Sequence, residues 1–237
     1  MSINFTQIYQ FYPAKTLKWG IGPFVYEPYI CPMEDHVKQA EKTPADLFLL
    51  ELRTATGPMH KALEDNNISK KLMHPQVSLA DYAFYLACMA GVMKVYDDQV
   101  LPQIKTIVAD AQERKKAEAI ARDLEFLYSG GAPKLPVNAF NGWKPGESLS
   151  YALGYAYVIE GSTLGGRVIL KHINASLGLD AEGTRFFAGY GAETGTYWKN
   201  FLQAFTTYIL DNKTQQEAIR GGIDGFSHIG QHFASHG

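Results

Sequence analysis

The sequence predicts an all-α protein built as a single-domain helical bundle, and three features carry that expectation. Apolar residues recur at helical spacing beyond residue 43, most clearly in Tyr82, Tyr85, Leu86, Met89, Met93 and Tyr96. Thr43-Pro44-Ala45-Asp46 supplies a capping hydroxyl, a proline at the first helical position and a carboxylate in the first turn, as helix starts do. Strand signals are weak over the same region. With 46% hydrophobic and 19% charged residues in 237 positions, the chain has the material for one sizeable core and too little charge for disorder.

Residues 1–42 stand apart as an irregular arm, in which Phe5, Tyr9, Phe11, Tyr12, Trp19, Phe24, Tyr26 and Tyr29 alternate with prolines and glycines. Such an arm either covers apolar surface of the domain or docks a partner. The helical domain, residues 43–237, then opens with a helix from about Pro44 to about Asp65. A second helix begins near Ser78-Leu79-Ala80-Asp81 and stops at Pro102. A third region runs from about Gln103 to Tyr128, with Gly130-Gly131 as its stop. Seven glycines and prolines between residues 129 and 147 mark a long loop. Helices follow from about Ser148 to Leu177 and from about Ala192 to Leu210, with a last short one after Thr214.

A net charge of −2 leaves no basic field for nucleic acid or an anionic membrane. No stretch reaches the roughly 18 apolar residues of a membrane helix, and the first basic residue is Lys15, so a secretory leader is not expected. Two cysteines, Cys31 and Cys88, fit a reducing cytoplasm without a disulfide framework.

The helix near residue 160 carries Gly154, Gly161, Gly165 and Gly166, although each interior glycine costs about 1 kcal/mol relative to alanine. Spacings of seven and four put Gly154, Gly161 and Gly165 on one face. A bare face serves either close helix packing or close approach of a flat ligand. In the first helix, Pro58 removes the hydrogen bond to the Thr54 carbonyl and should kink the chain just before His60. Glu64, one turn beyond, can accept a hydrogen bond from one imidazole nitrogen. A surface pair and a supported ligand are both compatible with that spacing.

Two segments together resemble the heme oxygenase family, particularly its bacterial biliverdin-forming members. Leu52-Arg53-x-x-Thr56-x-x-x-His60-x-x-Leu63-Glu64 is similar to the family's proximal helix, and Tyr157-Val158-Ile159-Glu160-Gly161-Ser162-Thr163-Leu164-Gly165-Gly166 to its glycine-rich distal helix. The resemblance spans about residues 46–237. It implies that His60 is the axial ligand of heme iron, with Glu64 its orienting partner. Gly161 and Gly165 would let the distal helix pass over the heme face. Arg53 and Lys199 match positions that pair with heme propionates. The implied activity is cleavage of heme b, at once substrate and cofactor, to biliverdin, iron and carbon monoxide. It uses dioxygen and electrons from a ferredoxin- or reductase-type donor, and no free metal is implied.

Ser162 departs from the family pattern, in which many members carry aspartate directly after the first distal glycine to hold a proton-delivering water network. A serine exchanges hydrogen bonds but brings no charge. Thr163 and Arg167 are candidates for a substitute network. A non-catalytic heme carrier or sensor that keeps His60 is the alternative reading, and His74 and His172 are alternative ligands. No paired Glu-x-x-His motifs for a di-iron site occur, and Cys88, amid apolar neighbours, reads as packing rather than a nucleophile. Asp224, His228, His232 and His236 recur every four residues, which in a helix would form a metal-binding stripe. Four glycines in the same segment make a frayed, solvated terminus the expectation. Cys31 and His36 lack the second ligand pair of a zinc site.

Overall fold

In the computed structural model, which describes residues 42–236, the expected capping at Thr43 is present on both sides. The Thr43 hydroxyl accepts from the Asp46 N–H at 3.2 Å, and the Asp46 carboxylate accepts from the Thr43 N–H at 3.0 Å. Helix α1 (Pro44–Glu64) runs on through Gly57 and Pro58, so His60 lies within it. A short α2 (Asn67–Leu72), not expected from the sequence, follows because the Asn66 side chain caps the Ile68 N–H at 2.8 Å. The arm up to residue 41, with Cys31 and His36, lies outside the described residues.

Helix α3 (Leu79–Val95) starts with a second reciprocal cap, between Ser78 and Asp81. The expected stop at Pro102 is corrected. The chain widens into a π turn over Tyr96–Val100 and continues as α4 (Leu101–Ile104), with Pro102 in the first turn of α4, where its missing N–H is tolerated. The helix expected from Gln103 begins only at α5 (Ala117–Ser129), after a 3-10 turn at Ala111–Arg114. The cause is distant in sequence. The buried Asp97 carboxylate accepts from the backbone N–H groups of Lys116 and Ala117 at 2.8 to 3.0 Å and caps α5.

The long loop then leads to α6 (Leu149–Leu177), capped by the Ser148 hydroxyl and ended by Gly178 at φ 66°. After α7 (Arg185–Ala188), whose first N–H groups donate to the buried Asp123 carboxylate, a 3-10 turn at Gly191–Glu193 precedes α8 (Thr194–Asn212). The short last helix is also corrected. It is α9 (Gln215–Ala234), twenty residues long, with Gly221, Gly222, Gly225, Ile229, His232 and Phe233 buried. The expectation of a frayed terminus fails because these glycines are packing contacts. A β-carbon at Gly221 would stand 2.1 Å from the Tyr151 carbonyl oxygen, and one at Gly154 only 1.9 Å from that of Ala218. Helices α6 and α9 therefore cross backbone to backbone, and that burial outweighs poor helix propensity. Among the described residues there is no strand, no helix long and apolar enough to cross a membrane, and no group of three or more His, Cys, Asp or Glu placed to hold a metal.

Helices α8 and α9 tie α1 to α6. Phe205 of α8 meets Phe48 of α1 at 5.4 Å between ring centroids and Tyr157 of α6 at 6.0 Å. On α9, Phe226 packs edge-on to His60 at 5.2 Å, while the adjacent Gly225 lies against Val158 of α6. His60 and the turn of α6 that leads into Gly161 thus flank the same stretch of α9.

Candidate heme site

The glycines of α6 divide into two functions along the helix. Gly154 is a packing glycine, buried against α9. Gly161 lies under Trp198, where a β-carbon would stand 3.4 Å from the tip of the indole. Gly165 faces open space, with no atom within 4 Å of where its β-carbon would be. An interior helical glycine with nothing packed on it has no structural return for its cost of about 1 kcal/mol. Partly exposed backbone at Gly165 therefore remains one turn beyond the Trp198 ring, the sort of surface a planar ligand can approach closely.

His60 is about one-third exposed, and its Nε2 lies 3.6 Å from Glu64 Oε1, one helical turn on. The i, i+4 pair thus forms as the spacing suggests, at a distance longer than a tight hydrogen bond. Arg53 is exposed on α1, and its charge reaches the Tyr157 hydroxyl. Burial pushes that phenol up, and Arg53 works against the shift. Lys199 is exposed on α8, directly after Trp198. Arg53 and Trp198 therefore both converge on Tyr157, whose ring lies 5.4 Å from the indole.

Ser162 is exposed and donates to the Ile159 carbonyl at 2.7 Å; Thr163 donates to the Glu160 carbonyl at 2.6 Å. Both hydroxyls are thus occupied within their own helix. Arg167 is exposed. In the histidine stripe, His232 is buried with Nε2 3.1 Å from the Cys88 carbonyl oxygen, which fastens α9 to α3. Cys88 is buried and its thiol is pushed up to about 11 by desolvation, the state of an inert packing cysteine.

Sequence reasoning missed the most heavily bonded group near the site. Glu160, immediately before Gly161, is 1% exposed. Its carboxylate accepts from Tyr96 at 2.8 Å, Arg114 at 2.5 Å, Lys116 at 2.7 Å and Tyr190 at 2.8 Å. Arg114, 0% exposed, also donates to both Asp110 oxygens and to the Tyr197 carbonyl. Burial alone would push the Glu160 carboxyl up, but Lys116 and Arg114 outweigh it and hold it below the usual carboxylate range. Burial lowers Lys116, with Glu160 opposing. Burial followed by the Glu160 charge raises the Tyr190 phenol. One signal was legible: Glu160 is the sole charged residue between positions 148 and 166. Its partners, in the ordinary polar run Glu113-Arg114-Lys115-Lys116, could not be singled out.

The donor set fits a heme: a partly exposed imidazole with a carboxylate one turn on, an open strip of glycine backbone, and basic residues on both flanking helices. Comparisons with known proteins bear on the family and the fold. The sequence pattern described as heme oxygenase matches residues 46–235. The heme oxygenase PigA of Pseudomonas aeruginosa is 27% identical over 195 residues, covering 80% of this chain and 93% of that protein. The fold is shared with the NO- and CO-bound heme oxygenase of Neisseria meningitidis, at a TM-score of 0.65 and 23% identity, over 80% of this chain and 91% of that one. It is also shared with heme oxygenase-1 of the cyanobacterium Synechocystis in complex with heme, at a TM-score of 0.64 and 16% identity, over 79% and 91% of the two chains. With its family pattern covering residues 46–235, nearly all of the helical domain, the chain belongs to the heme oxygenase family.

Proposed function

We propose that this protein is a heme oxygenase that binds heme b between α1 and α6 and opens it to biliverdin, iron and carbon monoxide. The observation that carries the reading is Gly165, a helix-interior glycine facing open space beside Trp198-covered Gly161. His60 would hold the heme iron, since a neutral imidazole is a common iron ligand, with the Glu64 carboxylate one helical turn away. Arg53 and Lys199 are proposed partners for the propionates. Gly161 and Gly165 would leave room for a planar ligand and dioxygen beside α6, and Trp198 would cover the Gly161 end of that surface. The bound heme supplies the oxygen chemistry, and the protein supplies placement and dryness. Electrons come from a separate ferredoxin- or reductase-type donor, consistent with a reducing cytoplasm as the site of action.

The test is to supply hemin, a ferredoxin system, oxygen and catalase, and to follow the Soret band. The expected result is loss of that band, appearance of biliverdin and trapping of carbon monoxide by a globin. A stable oxygenated complex that never loses its Soret band would replace the enzyme by a carrier or sensor.

A further inference from the structure

Two residues, Arg114 by two routes and Tyr190 by one, tie the buried Glu160 carboxylate to the stretch of α8 around Trp198. Arg114 donates from Nη1 to Glu160 Oε2 and from Nη2 to the Tyr197 carbonyl, at 2.5 and 3.0 Å. Tyr190 donates to Glu160 Oε2 at 2.8 Å, and its ring stacks on that of Tyr197 with centroids 4.2 Å apart and planes 6° from parallel. The Arg114 guanidinium lies 5.7 Å from the Phe201 ring centroid, and Phe201 stacks on Trp198 at 5.9 Å. The path closes on itself, because Trp198 covers Gly161, the residue that follows Glu160.

Holding α6 in place does not by itself call for charge, since well-packed apolar residues of similar volume do as well as a buried ion pair. What a carboxylate and a guanidinium fork add is direction. Stacked rings slide over one another at little cost, whereas a fork bonded at once to a carboxylate and a backbone carbonyl fixes the separation of two helices. The separation fixed here is that between the Gly161 backbone and the indole lying on it.

We propose that Glu160 is a positioning residue: through Arg114 and Tyr190 it fixes the Trp198 ring against Gly161 and so sets how a planar ligand seats on the glycine face of α6. The ligand half of this inference rests on the heme reading. The placement of Trp198 is a property of the ligand-free protein.

The experiment labels the full chain with 5-fluorotryptophan, identifies the Trp198 fluorine resonance among the three tryptophans by Trp198→Phe, and compares wild type with Glu160→Gln and Tyr190→Phe. In the ligand-free protein both variants should shift or broaden the Trp198 resonance and leave that of Trp143 in place. With hemin they should bind at wild-type stoichiometry but with an altered high-spin to low-spin balance and an altered ratio of biliverdin isomers. Folded variants whose Trp198 resonance stays at the wild-type position, whatever their melting temperature, overturn the proposal. A shifted resonance with wild-type spin balance and isomer ratio overturns its ligand half. If Glu160→Gln does not fold, Tyr190→Phe decides on the same criteria, because it removes one hydroxyl and keeps the stacked ring. If wild type takes up no hemin, the heme reading fails, and the resonance in the ligand-free protein still decides the placement of Trp198.

Discussion

The indole of Trp198 rests on Gly161, whereas Gly165, one turn further along the same helix, has no atom within 4 Å of its missing β-carbon. The glycine face therefore divides by position into packed and open backbone. Gly165→Ala should raise the melting temperature of the ligand-free protein, because alanine in a helix interior is worth about 0.5–1 kcal/mol over glycine. In a chain of this size that is roughly 2–4 °C per kcal/mol. Gly154→Ala should do the reverse, since its β-carbon would stand 1.9 Å from the Ala218 carbonyl oxygen; overpacking of this kind costs about 1–3 kcal/mol. Gly165→Leu should impair heme uptake while the fold survives. Thermal melts paired with hemin titrations check all three, and normal heme binding by Gly165→Leu would reduce the face to a packing surface.

Iron ligation is expected to depend on His60. Removing the imidazole in His60→Ala should abolish the native Soret and charge-transfer bands of the hemin complex, and added imidazole should restore six-coordinate ligation. The melting temperature should change by only a few degrees, because His60 is partly exposed. An unchanged hemin spectrum in the variant would pass the ligand role to another histidine, with His74 and His172 the ones to replace next.

Among the described residues Arg114 is the largest fully buried side chain, and its loss leaves the Glu160 carboxylate with Lys116 as the one cation paired with it there. Removing one partner of a buried ion pair typically costs about 3–5 kcal/mol, mostly the penalty of an undercompensated charge. Arg114→Ala should therefore destabilise far more than a surface exchange such as Arg122→Ala, whose pair with Glu118 is exposed and worth at most about 1 kcal/mol. Urea melts of the two variants side by side give the comparison. Equal midpoints would mean that the network carries little net stability.

Stability should fall as the solution is acidified below the ordinary imidazole value of 6.5, and His232 is a named contributor. Burial holds its imidazole below that value, with the neighbouring His236 acting in the same direction and the bond to the Cys88 carbonyl opposing. Below pH 6.5 the unfolded chain takes up a proton that the folded chain refuses at this site, so the stabilisation present above that pH is lost as pH falls towards the folded value. The slope from one site is at most about 1.4 kcal/mol per pH unit. His232→Gln, which keeps a donor for the Cys88 carbonyl but does not titrate, should flatten the melting temperature between pH 6.5 and 5. The same slope in variant and wild type would assign it to other groups.

What could be read from the sequence was whatever is local. The reciprocal caps at Thr43 and Ser78 use residues three apart, and the resulting starts of α1 and α3 agree with expectation. The π turn at Tyr96, the late start of α5 and the full length of α9 depend on groups far away in the chain. Asp97 caps α5 across twenty residues, and Gly221, Gly222 and Gly225 of α9 are acceptable because the Tyr151 carbonyl and the Leu52, Thr56 and Val158 side chains occupy the space of their missing side chains. The same contrast holds at the site. His60 with Glu64, and the glycine spacing, are local patterns, while the bonds from Glu160 to Arg114 and Tyr190 span 46 and 30 residues. Spacing also could not tell that Gly154 packs while Gly165 lies open, because that difference belongs to α9.

Ser162 occupies the position where many family members carry aspartate, and its surroundings limit what it can do. The hydroxyl donates to the Ile159 carbonyl at 2.7 Å and the side chain is exposed; its one proton is committed to the helix, leaving the oxygen lone pairs to accept from water. A positioned group that moves a proton in the rate-limiting step contributes about 10²–10⁴-fold. Ser162→Ala should instead slow single-turnover heme cleavage by less than about tenfold, because solvent water, oriented by helix carbonyls that accept its hydrogen bonds, remains to carry protons. Ser162→Asp should restore a charge at this position and move the pH profile of the reaction without changing hemin affinity. Stopped-flow decay of the oxygenated complex, measured across pH for both variants, separates the cases. A loss of 10²-fold or more in Ser162→Ala would make the hydroxyl the proton carrier and require it to leave the Ile159 carbonyl when the ligand is bound.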